Sequence, residues 1–314
     1  MLGRTANGLF WMFRYLERAE NTARLLEAGL RMALTRDLIT AEEEWRSVIH
    51  AAGQSRAYRA KHGTYTGIQV WNHILRDKDN PGSVLAMMRQ VRTNARAVRN
   101  AISGELWGAV NESWMQIDDA MARPVGQGSV GDVIGLIRRA GTLAHGAMTN
   151  SMLRDAGYNF ARAGTLVERA DNTARILDLK YYLLLPSLSY VGTPLDSGQW
   201  DHVLRSLSGQ RAYRWLNAGQ TDPRGIVQFL VLDERFPRSL VYCHSQLGEN
   251  LAALARIHGR EGKSGVMIRN SASSLASLTI DQVFEQGLHQ FLTAFTSCNA
   301  QIAAAIADDY RFQR

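Results

Sequence analysis

The chain has 314 residues, is 46% hydrophobic and carries a formal charge of +7 from 36 basic and 29 acidic side chains. That is enough apolar material for a large core, yet no uncharged apolar stretch reaches the ~18 residues of a membrane span. Two cysteines, Cys243 and Cys298, exclude a disulfide framework and make a reducing cytoplasm the expected setting.

The elements follow in chain order. Leu9, Met12, Leu16, Ala19, Ala23, Leu26 and Leu30 recur at helical spacing and predict a helix over 9–34. The apolar run Gly8 to Phe13 is short, is followed by Arg14, Glu17 and Arg18, and leads to no signal-peptide cleavage site. Further helices are predicted over 42–60, 83–103, 105–121, 130–155, 158–185, 198–216, 224–233, 238–258 and 278–312. Asn80-Pro81-Gly82-Ser83 and Phe236-Pro237-Arg238-Ser239 read as turns into helices. This makes Ser83 and Ser239 caps rather than nucleophiles. Breaks are expected near 122–129, 186–198 and 259–274, and the last, polar and glycine-containing, is the expected mobile loop. Strand-like alternation is nowhere sustained, so the expected class is all-α, an antiparallel helical bundle.

An internal repeat organises these helices. Residues 17–27, ERAENTARLLE, return as 168–178, ERADNTARILD, with eight of eleven positions identical and the rest Glu/Asp or Leu/Ile exchanges. Trp45 matches Trp200, Val48 matches Val203, and Arg56-Ala57-Tyr58-Arg59 returns as Arg211-Ala212-Tyr213-Arg214. Asn80 to Ser83 corresponds to Phe236 to Ser239, and Asn94 to Asn250. The order is kept throughout, as a tandem duplication with small insertions would keep it, 186–198 being one of them. Two tandem helical repeats, 1–155 and 156–314, are therefore expected, packed as one globular unit about a pseudo-two-fold.

The repeat carries the candidate site. On a helix, Phe13, Glu17, Glu20, Arg24, Glu27 and Arg31 fall within about 80° of one another, with Asn21 at the border. The second copy is Glu168, Asp171, Arg175 and Asp178, bordered by Asn172. One reading is an exposed charge ladder, each i,i+4 acid–arginine pair contributing ~0.3–0.5 kcal/mol. A second is a buried network in which the two stripes face each other and tie the halves together. The functional reading makes them a polar pocket. Glu17, Glu20, Glu168 and Asp171 are then the candidate catalytic carboxylates, and Asn21, Arg24, Asn172 and Arg175 the candidate substrate-binding groups. No metal is assigned. Glu17-x-x-Glu20 lacks the histidine of the Glu-x-x-His pattern, and Arg24 stands beside it.

Other candidates read as structural. His145 is a lone helix histidine. Cys243 and His244, neighbours on a helix, point about 100° apart and form no dyad. There is no Gly-rich phosphate loop, no Gly-x-Ser-x-Gly elbow and no Cys-x-x-Cys. No cofactor is identified, and ATP would enter only through a partner protein. Arginines supply nearly all the positive charge and are interleaved with acids along the chain. That disfavours nucleic acid and suits an acidic peptide, protein or small-molecule partner.

The opening, MLGRTANGLFWMFRYLERAENTARLLE, resembles the start of the bacterial alpha-E domain family, which is named for a helix with a characteristic glutamate. The resemblance continues through Asp79 to Ser83, Asn94 to Arg99, Trp107 to Asn111, Phe160 to Asp178 and Pro237 to Ser239. Thr93 departs from it, standing where the pattern Arg-Glu-Asn-Ala-Arg has glutamate, whereas Glu249 precedes Asn250 in the second half. The family's eponymous glutamate would fall at Glu17 or Glu20. Members are typically encoded, and sometimes fused, with a circularly permuted ATP-grasp protein. Transglutaminase-like peptidases and proteasome-like hydrolases are common neighbours. The resemblance therefore implies an accessory protein acting beside an ATP-grasp amide ligase in peptide synthesis or modification. A stand-alone enzyme acting on an acidic substrate and a purely structural scaffold are the alternatives.

Overall fold

Regular spacing of apolar residues produces helices along most of the computed structural model, which describes residues 1–33, 38–183, 194–217 and 222–312. In order they are α1 (Gly3–Ala33), α2 (Leu38–Ala51), α3 (Ser55–Arg59), α4 (Gly67–Arg76), α5 (Val84–Ala97), α6 (Gly104–Ala120), α7 (Val130–Ser151), α8 (Ala156–Leu183), α9 (Pro194–Ser206), α10 (Gln210–Leu216), α11 (Pro223–Leu232), α12 (Leu240–His258), α13 (Lys263–Ala276), α14 (Ile280–Gln286) and α15 (Leu288–Asp309). No strand occurs among the described residues, and none of their helices is long and apolar enough to cross a membrane. The break expected over 186–198 lies outside the described residues as far as 193, and α9 takes up the rest.

Two compact units divide the chain, one formed by Trp11–Leu153 and the other by Met1–Phe10 with Arg154–Arg314. In the first, the core gathers Trp45, Val48 and Ile49 of α2, Trp71 and Ile74 of α4, Leu85 and Met88 of α5, Trp114 and Ile117 of α6 and Ile134 and Ile137 of α7. Trp45 and Trp71 meet edge to face at 5.8 Å, and the Trp71 indole N–H donates to the Val125 carbonyl at 2.7 Å. In the second, Leu177, Trp200, Val203, Phe229, Leu230, Leu240 and Leu292 form the core. Its aromatic corner joins Phe10, Phe160 and Phe312.

Residues matched in sequence take similar local parts. Ser83 and Ser239 are both fully buried caps, accepting from the backbone N–H of Ala86 at 3.3 Å and of Tyr242 at 3.1 Å. Tyr58 and Tyr213 are both buried and donate to backbone carbonyls, of Thr64 at 2.8 Å and Asp222 at 3.1 Å.

Three predicted helices are interrupted, and two elements are unanticipated. Gly53 and Gly287 adopt φ +69° and +91°, conformations that favour glycine; they split 42–60 into α2 and α3 and divide 278–312 into α14 and α15. Ser208, at φ 57°, separates α9 from α10. Helix α4 buries Val70, Trp71, Ile74 and Leu75 in a stretch for which no element was expected. The mobile loop expected over 259–274 is wrong for most of its length, since α13 occupies it. The polarity misleads because the inward positions of α13 include serines. Ser264, Ile268 and Leu275 are buried, and Ser271 Oγ donates to His244 Nδ1 at 2.9 Å.

Candidate functional site

The first stripe is buried. Glu17, Glu20 and Asn21 are at most 4% exposed, and the Arg24 side chain, 13% exposed, pairs with Glu20. The middle of α1 is apolar on most of its remaining circumference, with Leu9, Met12, Phe13, Leu16, Ala19, Ala23 and Leu26 all buried, so the helix is packed on several sides and the acidic face is closed by what lies over it.

Helix α7 covers that face. Arg138 Nη1 donates to Glu27 Oε2 at 2.8 Å. Gly141 stands against Glu20, where a Cβ would lie 2.3 Å from Oε2. His145 Nε2 is 3.6 Å from Glu17 Oε2, and its ring is 5.5 Å from that of Phe13. Residue numbers fall along α1 as they rise along α7, so the two helices run antiparallel. Positions 138, 141 and 145, at i, i+3 and i+7, form one ridge of α7 that meets 17, 20 and 27 on α1. Glycine at 141 is what lets a carboxylate lie directly against the α7 backbone.

The result is a compact polar cluster. One ligand atom each from Glu17, Glu20 and His145 lies within 4.8 Å of the others. Among the described residues His145 Nε2 is buried without a hydrogen bond, since 3.6 Å exceeds hydrogen-bonding range. Two carboxylates, an imidazole and a guanidinium can bind a cation, hold an amine or orient an acidic group.

The second stripe is placed differently, in the other unit. Glu168 is buried, but Asp171 and Arg175 form an i,i+4 pair at 2.6 Å in which the arginine side chain is 63% exposed. That pair is the solvated ladder, within the range of surface ion pairs. Asn172 is half-buried. Asp178 accepts from His289 Nδ1 of α15 at 2.6 Å, and its separation of 111 residues equals that of Glu27 and Arg138. At the same spacing, Thr296 stands where the first half has His145, and Leu292 where it has Gly141.

The remaining candidates are engaged in structure. His244 is fully buried on α12. Its Nε2 donates to Asn299 Oδ1 at 3.3 Å, and Asn299 Nδ2 donates to the Val167 carbonyl at 3.0 Å. Burial pushes the His244 imidazole down to about 4, outweighing the Asn299 bond, which favours the protonated form. Cys243 Sγ faces the Pro237 carbonyl at 3.8 Å. Sequence spacing on α1 supplies no histidine near Glu17. The fold supplies His145 from a helix more than a hundred residues away, and the one local signal was the ridge spacing of 138, 141 and 145.

A family model described as "a predicted alpha-helical domain with a conserved ER motif" matches residues 1–310. An uncharacterized protein of Mycobacterium bovis and one of Mycobacterium tuberculosis are each 28% identical over 281 residues, covering 83% of this chain. The chain spans 30% of the length of these relatives. No solved structure matches it.

Proposed function

The chain belongs to the Alpha-E family of helical domains with a conserved ER motif, and on that premise we propose that it is a helical accessory module acting beside an ATP-grasp-type amide ligase. One observation carries this reading: the matching region makes up 30% of the mycobacterial relatives, so a module of this kind works there as one part of a larger polypeptide. The absence of any phosphate-loop motif from the sequence agrees with a division of labour in which the partner binds ATP. Of the two candidate glutamates only Glu17 is followed by arginine, Arg18, and we assign the ER motif of the first half to that pair. The test mixes the purified chain with a circularly permuted ATP-grasp protein from the same organism. The proposal expects the two to co-elute and the ligase to form amide bonds faster with the chain than without it. No association, together with a ligase fully active alone, would overturn it.

A second reading, a stand-alone enzyme acting on an acidic small molecule or peptide, is favoured by the burial of Glu17 and Glu20 next to Arg24. Glu20→Gln should then abolish turnover while leaving the helical signal and melting temperature in place, whereas Asp171→Asn, in the solvated pair, should leave turnover unchanged. Loss of folding in Glu20→Gln would point instead to a structural scaffold.

A further inference from the structure

We propose that Glu17, Glu20 and His145 form a binding site for one divalent first-row transition cation, of the manganese-to-zinc series. The inference stands apart from the ligase reading, because it rests on the α1–α7 packing alone.

The donor set is the first argument. Two carboxylates and one imidazole suit zinc, iron, cobalt or manganese, whereas magnesium and calcium favour all-oxygen shells. The spacing is the second. Ligand atoms bonded at ~2.1 Å to one tetrahedral or octahedral ion stand roughly 3.0–3.4 Å apart. His145 Nε2 and Glu17 Oε2 are 3.6 Å apart, too far for a hydrogen bond and close to the separation an ion would impose. The three ligand atoms all lie within 4.8 Å, so side-chain shifts of about an ångström close the shell.

The surroundings supply the third. His145 Nε2 is buried and makes no hydrogen bond among the described residues, which leaves its lone pair available in one tautomer. Arg24 takes Glu20 Oε1, while Oε2 lies against Gly141, a position that only glycine leaves open. The arginine neutralises part of the acidic charge. Three protein ligands would leave coordination positions for water or a substrate group. In the second half, Thr296 and Leu292 occupy the positions matching His145 and Gly141, and no such trio is found among the described residues there. Among the described residues, one such site follows, not two.

The test uses the full chain, stripped with chelator and then equilibrated separately with Zn²⁺, Mn²⁺ and Co²⁺. Bound metal is measured by elemental analysis, and the Co²⁺ ligand field by visible absorption. The expected result is one equivalent of at least one of these ions. His145→Ala should lower its affinity by at least about tenfold, the loss that removing even an outer-shell partner produces. Glu17→Gln should act in the same direction. His289→Ala, which removes the histidine beside Asp178, should leave affinity unchanged. Circular dichroism of each variant reports folding. Should Glu17→Gln fail to fold, the comparison of wild type with His145→Ala decides, because His145 is at the edge of the cluster with its side chain 20% exposed. Less than a tenth of an equivalent of all three ions in the wild type, or His145→Ala binding as tightly as wild type, would overturn the assignment.

Discussion

Two alanine substitutions in one helix separate the close contact at the site from the general preference of helices for alanine. Gly141 and Gly146 both lie inside α7. A Cβ at Gly146 meets nothing within 4 Å, whereas one at Gly141 would stand 2.3 Å from Glu20 Oε2 and 2.8 Å from its carboxyl carbon. Replacing glycine by alanine in an open helix position gains ~0.5–1 kcal/mol. Gly146→Ala should therefore stabilise the 11–153 unit, raising its melting temperature by about 2–4 °C per kcal/mol. Gly141→Ala receives the same gain but must displace a buried carboxylate by roughly an ångström, a form of overpacking that costs ~1–3 kcal/mol. Its net effect should run from neutral to a loss of about 2 kcal/mol. Thermal unfolding followed by circular dichroism measures both variants against wild type. If Gly141→Ala stabilises as much as Gly146→Ala, Glu20 does not lie against α7 and the reasoning about the site fails.

Three further outcomes are expected. His244 stays neutral in the folded chain down to about pH 4 because burial lowers its pKa, while the unfolded chain takes up the proton near 6.5. The unfolded state thus binds more protons between those values, and stability is lost as pH falls from 6.5 to about 4, by up to ~3 kcal/mol from this residue. Burial also lowers His73 and His258, which act in the same direction, so a flat denaturant midpoint across that window contradicts the assignment. Ser239→Ala removes both the α12 cap and the bond from Oγ to the Asp233 carbonyl at 2.7 Å; urea unfolding should show a loss of ~1–2 kcal/mol, and no measurable loss would argue against a structural role. Arg138→Met, by contrast, breaks an ion pair whose side chains are 42% and 27% exposed; it should cost well under 1 kcal/mol, and a larger loss would mean that the pair is shielded from water.

Most helices were legible because their inward faces are apolar at the right period, as in α1, α5, α6, α7 and α12. The spacing of Glu17, Glu20 and Arg24 likewise placed them on one face from sequence alone. What α13 hides is a helix whose buried positions include serine, and hydropathy reads serine as loop. Interruptions at Gly53 and Gly287 depend on single backbone angles that leave the periodicity on either side intact. The environment of the stripe was less legible still. Near-identical motifs give a buried Glu20–Arg24 pair in one half and an exposed Asp171–Arg175 pair in the other, because exposure is decided by what packs over the helix. Nothing within ERAENTAR announces that Gly141 and His145 cover the first copy. That information resides in α7, where a glycine and a histidine in an apolar helix look unremarkable until the partner helix is known.

The central claim, that α1 and α7 together build a ligand site from Glu17, Glu20 and His145, is tested most directly by anomalous diffraction from crystals of the full chain grown with Mn²⁺ or Zn²⁺. One strong peak is expected about 2.0–2.2 Å from His145 Nε2 and from an oxygen of each glutamate, with none at Asp178 and His289. A map with no peak among these three side chains, in crystals whose metal-bound surface sites are plainly visible, would contradict it.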